Sequence, residues 1–582
     1  MNPNKEISEE LRNKAAVWTL APYNEETRAQ VIKMLEAGND ELIESFYKNL
    51  EFGTGGLRGI MGPGTNRVNQ YTIGMVTQGL ANYIKMNFEH LREIRVAIAY
   101  DSRNNSKFFA ETTANVFSGS GIKVFIFESL RPTPELSFAI RELGCQSGVV
   151  ITASHNPKEY NGYKVYWDDG AQVISPHDLA IIEQVNNIKG IEEVDFSGRP
   201  ELIEELGTEM DNRYLDKLQS LSLHPEIIHQ HKDLGIVYTP IHGTGVHLVP
   251  AALKKFGFSN VYSVPEQNEP DGNFPSVHSP NPEEKAALDL AIKKAVSVGA
   301  DIVMATDPDA DRVGIAVRGP DDAFVLLNGN QTGAILIYYL LSQWSSLGKL
   351  KGNEFIVKTI VTSSLLSEIA RYYSVRTYEV LTGFKYIADL IRRKEGKEVF
   401  IVGGEESYGY LAGDFVRDKD AVLSCALIAE AAAWARSQSM GLLEILDEIH
   451  VKFGFFREHL ISMVRKGKSG AEEIASMMEK FRTSPPMSLG GSDVVMINDF
   501  LKGQSVDMIS DLRYDINLPK SNVLQILTQN GSIVSIRPSG TEPKIKFYFS
   551  VREKVTGNQA LEAAGKKLEE RIQIMVKEIG AE

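Results

Sequence analysis

The chain has 582 residues, 43% hydrophobic and 24% charged, the balance of a soluble globular protein long enough for about four domains. A net charge of −14 argues against nucleic acid or an anionic membrane as the main partner, and leaves a small anionic substrate open because steering is local. Two cysteines, Cys145 and Cys425, are too few for a disulfide framework; with a polar amino terminus and no run near the ~18 apolar residues of a membrane span, they point to the cytoplasm.

Residues 1–50 read as helices rich in Glu, Lys and Ala, an extension packed on the first domain. Phe52–Gly59 follows, a glycine-dense turn in which backbone N–H groups could crowd an anion and Arg58 could add a bidentate fork. Taken alone, the segment reads first as a flexible glycine-rich turn. Val96–Ala99 is a strand ending at Asp101-Ser102-Arg103, Lys107–Phe117 a helix, Lys123–Phe127 a strand, and Arg131-Pro132-Thr133-Pro134 a rigid loop. Gly148–Pro157 (G-V-V-I-T-A-S-H-N-P) is a buried parallel strand that delivers a loop at its carboxyl end, where open α/β sheets keep their sites. Ser154 in that loop reads as a nucleophilic or phosphate-carrying serine, or as one that only bonds the turn. Asn161-Gly162 suggests the turn of a hairpin.

The strand–helix pattern restarts at Leu234–Tyr238. Asn281-Pro282 should open a helix with Ala287, Leu288, Ala291, Ile292 and Ala295 on one stripe, before strand Asp301–Ala305. A third pass starts near Asn328: helix Gln331–Gln343, strands Phe355–Ile360 and Thr377–Val380, then Val399–Val402 ending at Gly403–Gly409. After about residue 455 the texture changes to an α+β pattern, with a hairpin at Asn530-Gly531 and a last amphipathic helix over 557–578. The expected domains are 1–205, 206–327, 328–455 and 456–582.

Asp307-Pro308-Asp309-Ala310-Asp311-Arg312 puts three carboxylates at alternate positions just past a buried strand, where they repel one another unless a cation neutralises them. Hard oxygen ligands without Cys or His suit Mg²⁺; a solvated acidic turn is the bland alternative, and a calcium loop lacks its glycine and glutamate. Arg537, Ser539, Gly540 and Thr541 make a compact anion cradle, or a basic turn. Glu405 and Ser407, two apart at a strand end, would face one side and suit sugar hydroxyls. Arg417 and Lys419 are phosphate contacts or part of a solvated charge run over 414–420, and His242 reads as structural. His155, beside the serine, is a candidate base, and Lys164 a candidate acid–base partner because a lysine pKa falls on desolvation.

These stretches resemble the α-D-phosphohexomutase family, most of all its phosphoglucomutase branch. T-A-S-H-N-P around Ser154, D-P-D-A-D-R around Asp307, G-E-E-S-Y-G around Glu405 and R-P-S-G-T around Arg537 occur in family order, and G-T-G-G-L-R around Arg58 fits too. The resemblance covers roughly residues 50–550. It implies a four-domain, heart-shaped α/β enzyme: three similar α/β domains with mixed sheets and a carboxy-terminal α+β domain, each giving a loop to one cleft. Ser154 would be the phosphoserine, with His155, Lys164 and Arg58 as catalytic groups. Asp307, Asp309, Asp311 and the serine phosphate would hold Mg²⁺. Arg312, Thr382, Gly383, Lys385, Glu405, Ser407 and Lys419 would bind the sugar phosphate, and Arg537, Ser539, Gly540 and Thr541 the phosphate that is not reacting.

The implied activity interconverts glucose 1-phosphate and glucose 6-phosphate through glucose 1,6-bisphosphate, both intermediate and activator, in a cytoplasmic monomer or weak homodimer that binds neither nucleic acid nor membrane. The family's bifunctional phosphomannomutases read G-E-M-S-G-H where this chain ends in Gly409, which argues against mannose. The T-G-F-K loop resembles a subgroup that includes phosphopentomutases. A Mg²⁺-dependent sugar phosphatase, or a binding scaffold without turnover, are the rival classes.

Overall fold

The computed structural model describes residues 8–51, 53, 55–465, 467–539 and 544–581. They fall into two compact units: those within residues 1–327, 388–395 and 409–434, and those within residues 328–387, 396–408 and 435–582.

The first unit opens with three helices, Glu9–Val17, Glu25–Ala37 and Asp40–Phe46. Ser8 and Asn24 cap the first two, their side chains accepting from Leu11 N and Thr27 N. Trp18, Phe46 and Tyr71 are buried together and pin this extension to the first sheet domain. That domain has a six-stranded sheet in the order Gly56–Ile60, Tyr160–Trp167, Ser147–Ile151, Arg95–Tyr100, Lys123–Phe127, Ile203–Leu206. Ser147–Ile151 is buried throughout, paired parallel to Arg95–Tyr100 and antiparallel to Tyr160–Trp167. A strand covered on both faces must be apolar, which is why it reads as an uninterrupted run.

Two local expectations change here. Asn161-Gly162 lies inside a strand, paired with Gly59 and Arg58, and the hairpin turn is the serine loop itself. Gly162 is needed for close approach: a Cβ there would sit 2.6 Å from Thr152 O and 2.8 Å from Leu57 O. Thr133-Pro134 is no loop but the first turn of helix Thr133–Glu142, where proline has no N–H bond to lose.

The second sheet runs Phe324–Leu327, Val313–Arg318, Ile302–Thr306, Ile236–Thr239, Val261–Ser263. Its central strand, Ile302–Thr306, is wholly buried, parallel to Ile236–Thr239 and antiparallel to Val313–Arg318. The helix before it starts at Lys285, not Pro282, because Asn281 spends its side chain on a turn to Glu283 N. Ala287, Leu288, Ala291 and Ala295 are buried as the stripe requires, and Ile292 is partly so.

In the second unit, helix Gly329–Ser346 starts from a capping box made by Asn328 and Gln331. Strand Glu354–Thr359 pairs parallel to both Arg376–Val380 and Val399–Glu405. An antiparallel sheet follows, in the order Phe455–Val464, Lys544–Glu553, Ile533–Pro538, Leu524–Thr528, Ser492–Asp499, Gln504–Asp507, Arg513–Asp515. The Asn530-Gly531 hairpin forms as its sequence demands, with Gly531 at φ +80°. Leu568, Ile572 and Met575 of helix Leu561–Ile579 close the core under the sheet. Cys145 and Cys425 are buried free thiols, and among the described residues no helix is long and apolar enough to cross a membrane.

Candidate active site

The first unit brings the serine loop and the acidic loop together. Ile302–Thr306 ends at Asp307, and the turn to Val313 carries Asp309 and Asp311 back beside it, with Ala310 at φ +48°. Ligand oxygens of the three carboxylates lie within 4.8 Å of one another, and all three residues are buried. Ser154 follows Ser147–Ile151 at φ +50° and is 4% exposed. Its N–H donates to Thr152 Oγ1 at 2.8 Å, and its hydroxyl donates to Asp307 Oδ2 at 2.7 Å.

The cations around the carboxylates come from strand Tyr160–Trp167, from the segment after strand Gly409–Ala412 and from the acidic loop itself. Lys164, in register opposite Val150, puts Nζ 2.7 Å from Asp309 Oδ2 and 3.4 Å from Asp311 Oδ2. Lys419 puts Nζ 3.1 Å from Asp311 Oδ2 and 3.2 Å from Asp418 Oδ1. Its alkyl stem fills the space beside Gly409, where a Cβ would lie 2.1 Å from Lys419 Cδ, so the site has no room for a side chain at 409 while Lys419 reaches Asp311. Arg312 pairs with Glu283 at 2.7 Å and lies 3.8 Å from Asp311. Arg58 donates to Asn156 Oδ1 at 2.7 Å, which ties the glycine-rich segment to the serine loop. Phe52 and Thr54 of that segment lie outside the described residues.

Burial raises Asp307 well above the carboxylate range, and Asp309 and Asp311 push the same way. Burial would raise Asp309 too, but Lys164 and Lys419 outweigh it and hold that carboxyl down. Lys164 departs from its expected behaviour: burial works to lower it, yet Asp309 and Asp311 more than compensate, and the ammonium is held charged. His155 Nδ1 stands 3.1 Å from Ser154 Oγ. Burial, then Arg312 and Arg58, keep its imidazole well below the ordinary histidine value, so it is neutral at pH 7.

Asp309 Oδ1 and Asp311 Oδ1 are buried and, among the described residues, accept no hydrogen bond. Two orphaned buried carboxylate oxygens are costly, and an all-oxygen donor set without His or Cys matches a hard divalent cation. The residues present therefore fit a metal ion.

The run over 414–420 is not a solvated face. Arg417 is buried, pairs with Glu395 at 3.2 Å and is drawn off to the Asp414 carbonyl. Asp418 and Asp420 accept from the hydroxyls of Tyr166 and Tyr214 at 2.6 and 2.8 Å. His242 is structural as expected, both ring nitrogens being engaged by Glu269 O and Ser276 Oγ at 2.8 Å. Two groups escaped the sequence reading. Thr133 meets Asp309 through N–H to carbonyl at 3.0 Å and hydroxyl to Oδ2 at 3.3 Å. Arg103 lies under the serine loop, donating to its carbonyls. Both follow buried parallel strands, the same positional signal that marks Ser154.

The second unit holds the other predicted residues. Glu405 ends strand Val399–Glu405 and accepts from Gly383 N at 2.8 Å, which joins the G-E-E-S and T-G-F-K loops. Gly383 sits at φ +120°, a conformation that favours glycine. Thr382 Oγ1 is buried without a hydrogen-bond partner among the described residues, Ser407 is half-buried, and Lys385 lies over Tyr386 at 5.4 Å. Glu406 turns inward, accepting from Thr362 and Thr359 hydroxyls at 2.9 and 3.3 Å. Arg537 is on strand Ile533–Pro538 and Ser539 N donates to Lys544 O at 2.7 Å; Gly540 and Thr541 lie outside the described residues.

Four family models, described as phosphoglucomutase/phosphomannomutase α/β/α domains I, II and III and C-terminal domain, match residues 49–192, 212–319, 328–453 and 494–564. A phosphoglucomutase of Staphylococcus epidermidis is 38% identical over 531 residues, 88% of this chain and 95% of the relative. One from Staphylococcus aureus is 38% identical over 535 residues, 89% and 95%. Among solved structures, the fold is similar to the open form of parafusin, a Paramecium phosphoglucomutase (TM-score 0.67, 18% identity, 91% of this chain and 95% of that one). It is also similar to a Burkholderia thailandensis phosphoglucomutase/phosphomannomutase family protein (TM-score 0.63, 16% identity, 91% and 97%).

Proposed function

Because the chain belongs to the phosphoglucomutase/phosphomannomutase family, we propose that it interconverts glucose 1-phosphate and glucose 6-phosphate, with Ser154 as the phosphoryl carrier. One observation carries this assignment: the Ser154 hydroxyl, nearly buried at the end of a strand, donates at 2.7 Å to a carboxylate of a three-aspartate cluster. A turn serine has no reason to point at such a cluster, whereas a phosphate on that oxygen would share the cation the aspartates require.

Asp307, Asp309 and Asp311 would hold Mg²⁺ through oxygens that include the orphaned Oδ1 atoms of Asp309 and Asp311. When bound, the ion neutralises charge that develops on the transferring phosphoryl group. In the forward half-reaction the sugar 6-hydroxyl attacks the phosphorus of phosphoserine. The bond from phosphorus to Ser154 Oγ breaks, and the proton of the sugar hydroxyl passes to Ser154 Oγ, restoring the serine hydroxyl. Glucose 1,6-bisphosphate then turns over, and Ser154 Oγ attacks the C1 phosphate to release glucose 6-phosphate. The neutral imidazole of His155, 3.1 Å from Oγ, supports proton exchange with the serine. Lys164, held charged, and Arg58 supply positive charge on the serine's side of the site.

In the second unit, Glu405 and Ser407 would take sugar hydroxyls, with Thr382, Gly383 and Lys385 shaping that loop. Arg537, Ser539, Gly540 and Thr541 would hold the distal phosphate. Arg312 and Lys419 complete the substrate contacts. The stem of Lys419 beside Gly409 supports glucose over mannose, because the position that carries histidine in the bifunctional relatives is sterically taken.

Turnover of glucose 1-phosphate with Mg²⁺ and a trace of glucose 1,6-bisphosphate should yield glucose 6-phosphate, and Ser154→Ala should lower the rate at least ~10³-fold. Intact-mass analysis should find one phosphate on wild type and none on the variant. Retained activity in Ser154→Ala would instead favour an aspartyl phosphatase. A kcat/KM comparison across glucose, mannose and ribose 1-phosphates tests the sugar, and a ribose preference would overturn the glucose assignment.

A further inference from the structure

The loop that carries Ser154 is held from within by a side chain outside every motif described above. Arg103 follows strand Arg95–Tyr100, the parallel neighbour of the serine strand, and is 3% exposed. Its Nη1 donates to Pro157 O at 2.9 Å and Tyr160 O at 3.0 Å. Its Nη2 donates to Ser154 O at 2.5 Å and to Asn156 O. Asp101 Oδ2 lies 3.4 Å from Nε, and the other Asp101 oxygen accepts from Arg103 N at 2.9 Å and Ser106 Oγ at 2.6 Å, so the anchoring carboxylate is itself fixed.

The second domain closes on the same guanidinium. The Phe274 ring centre is 5.1 Å from its central carbon. Gly272 allows that approach, since a Cβ there would lie 2.2 Å from Asn104 N and 2.8 Å from Arg103 C. Asn104 Nδ2 donates to Asn273 Oδ1 at 3.1 Å.

We propose that Arg103 is the positioning residue of the phosphoryl-carrying serine: one guanidinium gathers four carbonyls of the Ser154–Tyr160 loop and so fixes the left-handed turn that aims Oγ at Asp307. The inference rests on Ser154 being the carrier. A serine at φ +50° is disfavoured unless its surroundings over-determine it. The loop itself supplies two bonds for this, Ser154 N to Thr152 Oγ1 at 2.8 Å and Asn156 N to Ala153 O at 3.1 Å, while the Ser154 and Asn156 carbonyls turn inward and take their donors from Arg103. A planar fork with five N–H groups meets four carbonyls and a carboxylate; an ammonium has three donors and no fixed plane. The same contacts join the serine loop of one domain to the Asp271–Phe274 turn of the next, the domain that also supplies Asp307.

The test uses the full-length enzyme and compares wild type, Arg103→Lys, Asp101→Asn and Ser154→Ala. Arg103→Lys should leave KM for glucose 1-phosphate within about twofold and lower kcat about 10²-fold, the cost of displacing a reacting atom by ~1 Å. The single-turnover rate at which glucose 1,6-bisphosphate phosphorylates Ser154 should fall by the same factor. Kinetics are expressed per phosphorylatable serine, so loss of folded protein alone would leave them unchanged. Should Arg103→Lys not fold, Asp101→Asn, which frees the guanidinium on one side only, should lower kcat about tenfold at constant KM. The inference is overturned if kcat per site stays within about threefold of wild type in the folded variant, or if KM rises in step with the loss of kcat. If Ser154→Ala still turns over, it is the carrier assignment that fails, and the two failures are told apart.

Discussion

Lys164→Met removes the ammonium and keeps the chain length. Lys164 touches Asp309 at 2.7 Å and Asp311 at 3.4 Å from a side chain 13% exposed, and both carboxylates are buried. Taking one partner from a buried ion pair costs ~3–5 kcal/mol. Here Lys419 stays 3.1 Å from Asp311, so a loss of about 2–3 kcal/mol is expected for metal-free protein. Ammonium and divalent ion draw on the same carboxylates, so their binding is antagonistic. The variant should therefore bind Mg²⁺ about tenfold more tightly than wild type, ~1.4 kcal/mol of extra metal-linked stability. The assay is urea unfolding in EDTA and across a Mg²⁺ series, with isothermal titration of Mg²⁺ as a second readout. Mg²⁺ should restore much of the lost stability but not the activity. The electrostatic account is refuted if metal-free Lys164→Met unfolds at the wild-type urea concentration, or if its Mg²⁺ affinity is unchanged or weaker.

Asp420 gives a pH signature. Burial raises its carboxyl to about 6, against hydrogen bonds from Leu423 N and Tyr214 that work to lower it. A raised carboxyl is protonated in the fold while the unfolded chain ionises, so wild-type stability falls as pH climbs from the unfolded value to about 6 and is flat above it. Asp420→Asn should thus gain on wild type by about 1.4 kcal/mol between pH 5 and pH 8 in paired urea melts, and a pH-independent difference would contradict the assignment. Gly243→Ala tests the floor of the acidic loop: its methyl would meet Pro308 Cα at 2.6 Å and Pro308 O at 2.9 Å, both backbone atoms. Overpacking of this kind costs ~1–3 kcal/mol, and the Mg²⁺ concentration for half-maximal activity should rise several-fold, as a metal titration of the rate will show.

What the sequence determined by itself was local or nearly so. Strand Ser147–Ile151, the Asn328 capping box, the Asn530-Gly531 hairpin and the stripe of helix Lys285–Val298 each follow from chemistry within a few residues. The acidic loop was legible for the same reason: three aspartates at alternate positions after a buried strand repel one another, and their burial calls for cations beside them. Where local rules misled, a distant neighbour had overruled them. Asn161-Gly162 became a strand because two backbones close on Gly162, and the charge run over 414–420 was buried because Tyr166 and Tyr214 wait for its carboxylates. Lys164 reads from the sequence as a candidate acid–base partner because desolvation lowers a lysine, whereas two aspartates about 145 positions away in the chain push its ammonium the other way and outweigh burial. Only the tertiary structure could bring Ser154 to Asp307 across 153 positions, or set Arg103 beneath it. Capping, periodicity and turn chemistry act over single bonds and turns, whereas the field at a buried charge is set by whatever the fold packs against it.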